Sequence, residues 1–155
     1  MNISDLLRPD AVFASLKVQS KKQLLQELAA RAAQQTGIAE RRIFETLTER
    51  ERLGSTGVGQ GIAIPHGRLA EVKQIAGVFA RLDAAIDYDA VDKQPVDLVF
   101  MLLAPDAAGA DHLKALARVS RLLRNQQACE KLRAATRQEA LYAILTEPAA
   151  SARAA

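Results

Sequence analysis

Residues 52–68 gather the side chains best suited to handling a transferred anion: Arg52, Ser55, Thr56, His66 and Arg68, with Gly57 and four other glycines among them. Glycines let backbone N–H groups approach an anion closely, with no Cβ in the way. Hydroxyls add donors, and an arginine grips phosphate oxygens with two parallel N–H groups. A histidine titrates near neutrality, so its uncharged ring can act as a nucleophile at cellular pH. Together these residues describe a place where a phosphoryl group becomes attached to imidazole.

Other chemistries fit the spacing less well. Gly57-Val-Gly59-Gln-Gly61 is not the G-x-G-x-x-G of a dinucleotide site. No lysine lies between Gly54 and Arg68, which removes a P-loop. A Ser55–His66–Asp triad lacks a G-x-S-x-G elbow. Two histidines and one distant cysteine have no ligand spacing for a metal, and the transfer scheme needs no metal or cofactor. On the residues alone one plain reading stands beside the phosphoryl site: a glycine-rich loop that only turns the chain, with His66 a surface residue.

These residues must be positioned by the elements around them. Ser20-Lys-Lys-Gln23 has the form of a capping box, and Leu24, Leu25, Leu28 and Ala32 fall on one face. That predicts a helix to about Gln35, stopped at Gly37. A second helix is expected over Glu40–Arg52, with Ile43, Phe44 and Leu47 inward and Gly54 ending it. Gln74–Leu82 reads as a strand, and Asp97–Leu103 as an interior strand covered on both faces. Helices follow over 111–124, 126–134 and 137–145, the last opened by a second capping box, Thr136-Arg-Gln-Glu139. The pattern is one α/β domain over 1–147, a small mixed sheet with helices packed on it, and 148–155 reads as a flexible tail.

The run Glu51-Arg-Leu-Gly-Ser-Thr-Gly-Val-Gly-Gln-Gly-Ile-Ala-Ile-Pro-His-Gly-Arg68 closely resembles the active-site signature of the mannitol/fructose-type IIA domains of the phosphoenolpyruvate-dependent phosphotransferase system. Within that group it is most similar to the nitrogen-regulatory IIA proteins, and the likeness extends over nearly the whole chain. The resemblance implies a mixed, about five-stranded sheet sandwiched by helices. It implies that His66 is phosphorylated, on its Nε2 (tele) nitrogen, with Arg52 as active-site partner and Ser55, Thr56, Gly57 and Arg68 around the phosphate. It also implies an HPr-like phosphocarrier protein as donor, and regulated targets such as potassium-transport or sensor-kinase proteins. The alternative it leaves is a carbohydrate-specific IIA component that passes phosphate to a IIB domain for sugar uptake. The chain shows no fused IIB or membrane domain, which favours the regulatory branch.

His112 falls at the centre of the apolar arc formed by Leu116, Val119 and Leu123, at about 100° per residue. One reading is a buried histidine satisfied by a nearby backbone group. The other places it at a helix N-terminus, pointing into the pocket of His66. The resembling domains carry a second active-site histidine on the matching helix, which implies a supporting role for His112. Lys114, Arg118, Arg121 and Arg124 take the opposite arc, and Lys131, Arg133 and Arg137 follow. That face is either solvated or a docking surface for an acidic partner.

Composition sets the outer limits. The 155 residues are 49% hydrophobic and 25% charged, enough to bury a core without a disulfide or metal. The net charge of +3 comes with only 4% aromatics and no nucleic-acid motif, which argues against a nucleic-acid partner. Apolar runs are too short for a bilayer, Met1–Ser15 lacks an apolar signal core, and one cysteine suits a reducing compartment. The cytoplasm is the expected location.

Overall fold

The computed structural model describes residues 1–147, so the expected tail at 148–155 lies outside the described residues. The chain runs α1 (Ile3–Leu6), β1 (Val12–Leu16), α2 (Lys21–Thr36), α3 (Glu40–Arg52), β2 (Gly57–Gly59), β3 (Ile62–Ala63), β4 (His66–Leu69), β5 (Ala76–Ile86), β6 (Val96–Pro105), α4 (Ala110–Arg124), α5 (Gln126–Ala134) and α6 (Gln138–Leu145). The sheet is mixed and six-stranded, in the order β1-β5-β6-β3-β2, with β4 also paired to β6. The sixth strand arises because the glycine-rich segment divides into three short strands. Two of them, β3 and β4, pair in parallel with successive stretches of β6, Ile62 against Leu98 and His66 against Leu102.

β6 decides the layering. Val99, Met101 and Leu103 belong to the core under α2 and α3, whereas Leu98, Phe100 and Leu102 belong to the core under α1, α4, α5 and α6. Successive residues of a strand point to opposite faces, so an unbroken apolar run fills both cores at once. β5 pairs with β6 in antiparallel fashion, and β1 pairs in parallel with β5. β1 has no counterpart among the sequence expectations, since Val12-Phe-Ala-Ser-Leu16 is too short to show a period.

Helix ends follow local chemistry, with two departures. Ser20 caps α2 by accepting from the Gln23 amide at 3.1 Å, but the Gln23 side chain accepts from the Gln19 amide (2.6 Å), not that of Ser20. Gly37 ends α2 in the left-handed region, at φ 75°. The second capping box, Thr136 to Glu139, does not form: the residue at the N-cap of α6 is Arg137, with no side-chain cap bond. α5 ends at Ala134, and the connection places Thr136 one position too early to reach the free amides of α6.

α3 lies against β4 closely enough to exclude a side chain at one position. A Cβ on Gly67 would stand 2.5 Å from Thr46 Cγ2. Gly67→Ala should therefore cost about 1–3 kcal/mol by overpacking, read as a lower urea midpoint. Adding Thr46→Ser removes the opposing methyl and should recover most of the loss. Equal stability of the single variant and the parent would contradict this packing.

Candidate active site

His66 opens β4, and the parallel pairing with Leu102 sets the height at which its ring leaves the sheet. The ring is half-buried. Its Nδ1 lies 2.8 Å from the Ile64 carbonyl oxygen. A carbonyl only accepts, so Nδ1 carries the proton and Nε2 keeps its lone pair. The second contact agrees: Arg50 directs its Nε–H at His66 Nε2, 3.3 Å away. Arg50 is anchored by Nη1–H donating to the Gly54 carbonyl (2.9 Å) at the helix end.

Arg50 was not singled out by spacing, whereas Arg52 was. Arg52 is exposed and lines a cavity of about 600 Å³ between α2 and α3, with Lys21, Lys22, Leu25, Phe44, Thr48 and Glu51. Two helical residues are turned about 200° from each other, so the structure brings Arg50 to His66 and takes Arg52 to the far side. The signal was present in the periodicity. Ile43 and Leu47 are fully buried, and Arg50 continues their arc toward the sheet.

The loop residues are held by one another. Thr56 is buried; its amide donates to Glu51 Oε1 (3.0 Å) and its hydroxyl to Glu51 Oε2. The Thr56 hydroxyl also lies 3.0 Å from that of Tyr88, and Lys21 Nζ pairs with Glu51 at 2.9 Å. Ser55 Oγ accepts from the Gly57 amide at 3.0 Å. The hydrogen bonds of Ser55, Thr56 and Gly57 thus build the loop behind His66, and Glu51 is its hub.

His112 enters from the first turn of α4, and its ring centroid is 5.6 Å from that of His66, at 68° between planes. It is 5% exposed, and Arg68, not a backbone group, partners its Nδ1: Arg68 Nε–H donates to that nitrogen at 2.9 Å. His112 Nε2 is buried with no hydrogen-bond partner. Lys114, Arg118, Arg121 and Arg124 form no ion pair among the described residues. Arg133 does not share that open face. It grips Asp97 through two contacts of 2.9 Å and donates to the Gln60 carbonyl.

Both imidazoles titrate below the ordinary value of 6.5, chiefly because burial disfavours the charged ring. The Ile64 carbonyl pulls His66 back up, the Arg50 charge lowers it and Glu51 raises it. For His112, His66 and Arg68 add to the lowering. The His66 ring is therefore uncharged at neutral pH, with its lone pair on Nε2. Below 6.5 the unfolded chain binds more protons at these positions than the folded one, so stability falls as pH drops through that value. His66→Gln/His112→Gln should flatten the fall between about pH 7 and pH 5.5, seen in urea midpoints. Identical slopes would contradict the lowered values.

Known proteins share this arrangement of elements. Residues 5–147 match the family described as "Phosphoenolpyruvate-dependent sugar phosphotransferase system, EIIA 2". A nitrogen regulatory protein of Bradyrhizobium diazoefficiens is 59% identical over 152 residues, covering 98% of this chain and 99% of that one. The crystal structure of nitrogen regulatory protein IIA-Ntr from Neisseria meningitidis superposes with a TM-score of 0.89 at 38% identity, covering 93% of this chain and 99% of that one. A fructose-specific EIIABC component of Bacillus subtilis is 32% identical over 148 residues, which are 95% of this chain but 23% of that protein.

Proposed function

The chain belongs to the EIIA 2 family of the phosphoenolpyruvate-dependent phosphotransferase system, in its nitrogen-regulatory branch, and on that premise we propose that His66 Nε2 carries a phosphoryl group between proteins. The observation that carries the proposal is the fixed polarity of the ring: Nδ1–H is engaged by the Ile64 carbonyl, and the Nε2 lone pair faces the Arg50 guanidinium.

The donor is a phosphohistidine on a phosphocarrier protein. His66 Nε2 attacks phosphorus in line, the new P–N bond forms, and the P–N bond to the donor imidazole breaks with its electron pair. His66 Nδ1 keeps its proton, donated to the Ile64 carbonyl, throughout, and the donor ring, protonated on its other nitrogen, leaves as a neutral imidazole, so no proton passes between the partners. Arg50 and the unpaired Nε2–H of His112 meet the charge on the equatorial oxygens. Both ends of the exchange are phosphoimidazoles, which makes the step reversible. Exposed Leu53 and Leu113, next in sequence to Arg52 and His112, offer apolar contact for the docking carrier.

The output is regulatory. A phosphoryl group adds about −1.5 to −2 charges, enough to switch contacts with partner proteins, potassium-transport and sensor-kinase systems among them. The protein acts in the cytoplasm; no described helix is long and apolar enough to cross a membrane. The second reading, transfer to a IIB domain for sugar uptake, draws on the likeness to the fructose-specific relative.

The test is incubation with phosphoenolpyruvate and the general phosphotransferase proteins. An acid-labile mass gain of one phosphate is expected, lost in His66→Ala and retained in His112→Ala at a lower rate. A gain that persists in His66→Ala would overturn the assignment. Partner capture that discriminates the two states of His66 supports regulation, and onward transfer to a IIB domain supports the second reading.

A further inference from the structure

Arg68 has an effect that reaches beyond its own charge. It stands two residues after His66 on β4, so the two side chains leave the same face of the strand. His112 comes down between them from α4. An arginine side chain has five N–H donors and no acceptor, and it stays charged at every physiological pH. With Arg68 Nε 2.9 Å from His112 Nδ1, that ring nitrogen can only be the acceptor. The proton of the neutral ring must then sit on Nε2, the buried atom that has no partner.

We propose that Arg68 is a positioning residue that locks His112 as its Nε2–H tautomer, so that this ring presents a donor, and never a lone pair, to the phosphoryl group on His66. This rests on the phosphoryl-carrier reading of His66. The two imidazoles, 5.6 Å apart, are set to opposite polarity by different neighbours. A backbone carbonyl holds the proton of His66 on Nδ1, so Nε2 keeps the lone pair, which accepts from Arg50 until phosphorus arrives. A guanidinium holds Nδ1 of His112 empty and turns Nε2–H into the group that meets negative oxygen. Were the tautomers of His112 free to exchange, its Nε2 lone pair would face the phosphoryl oxygens part of the time and repel them. The orphaned buried donor is then a prepared one: a buried N–H without a partner is costly, and the arriving phosphoryl oxygen supplies that partner.

The chain has only two histidines, so both rings can be followed by two-bond ¹H–¹⁵N correlation spectra at neutral pH, assigned with His66→Ala and His112→Ala. The parent should show His112 protonated at Nε2 alone and His66 at Nδ1. In Arg68→Ala the His112 pattern should become mixed or shift to Nδ1–H, while His66 is unchanged, which also reports an intact fold. Arg68→Lys, another donor-only cation, should restore the parental pattern. The rate of phosphoryl acceptance should fall roughly 10- to 100-fold in Arg68→Ala, less than the loss from removing a charge-stabilising donor outright, and recover in Arg68→Lys. A His112 ring that stays purely Nε2–H in Arg68→Ala, or that is Nδ1–H in the parent, would overturn the inference. These spectra need no phosphoryl donor. A failure of the carrier reading shows instead as phosphate retained in His66→Ala.

Discussion

Truncating Arg50 to alanine should slow phosphoryl transfer to His66 by roughly 10²–10³-fold, the scale lost when one preorganised charge-stabilising donor is removed. Arg52→Ala should leave the rate within about threefold, because exposed surface substitutions away from a site change little. The contrast follows from helical phase: Arg50 Nε reaches His66 Nε2, whereas Arg52 lines the cavity between α2 and α3. Arg50→Lys keeps the charge but loses the planar fork, and should fall between the two. Loss of the Arg50 charge should also raise the titration of His66, since that charge lowers it in the parent. The acid limb of the transfer-rate profile should move to higher pH accordingly. Single-turnover transfer from a phosphorylated carrier protein, followed across pH, measures both effects. Equal rates for Arg50→Ala and Arg52→Ala would refute the assignment of Arg50.

Glu51→Ala should be the most destabilising single change near the site, by about 2–4 kcal/mol, in the range for removing one partner of a buried ion pair. Its carboxylate meets Lys21 Nζ, the Thr56 amide and the Thr56 hydroxyl, and is itself only 5% exposed. Removal strands several groups at once. The Thr56 donors lose their acceptor, and Lys21 keeps only the face of Tyr88, 4.6 Å from the ring centroid. Tyr88 is fully buried, and burial together with the Glu51 charge pushes its hydroxyl well above the ordinary value of 10, so it stays a neutral donor. Lys21 is about a quarter exposed and can recover some water, which sets the lower end of the range. Glu51→Gln keeps one acceptor oxygen and should cost about half as much. Urea midpoints with an unchanged m-value are the measurement. A loss below about 1 kcal/mol for Glu51→Ala would show that the loop stands without its hub. Transfer should slow as well, because Gly54, two residues before Thr56, anchors the Arg50 guanidinium.

How far the sequence reaches differs between the frame and the site. The long helices were legible because their apolar residues recur with the helical period and their ends carry local signals. α3 and α5 span the expected residues, and α2 ends on Gly37. β6 was legible because a run buried on both faces admits almost no polar residue. The short strands were not. β1, β2, β3 and β4 span two to five residues each, too few for a period; β1, β3 and β4 exist because β5 and β6 offer them edges to pair with, and β2 because β3 does. Thr136 misled because a capping pattern of four residues says nothing about where the preceding helix will release the chain.

By itself the sequence determined the α/β layering and marked the glycine-rich segment as the candidate place of chemistry and His66 as its nucleophile candidate, all properties of residue type and local period. Only the tertiary structure decided which groups meet that ring. Arg50 instead of Arg52, Glu51 behind the loop, Arg68 against His112, and the two opposed tautomers all depend on contacts between elements 16 to 44 residues apart or on which side of a helix faces the sheet. The physical reason is range. Propensity and periodicity act within a few turns of chain, whereas the direction of a hydrogen bond between side chains is fixed only when separate elements have packed.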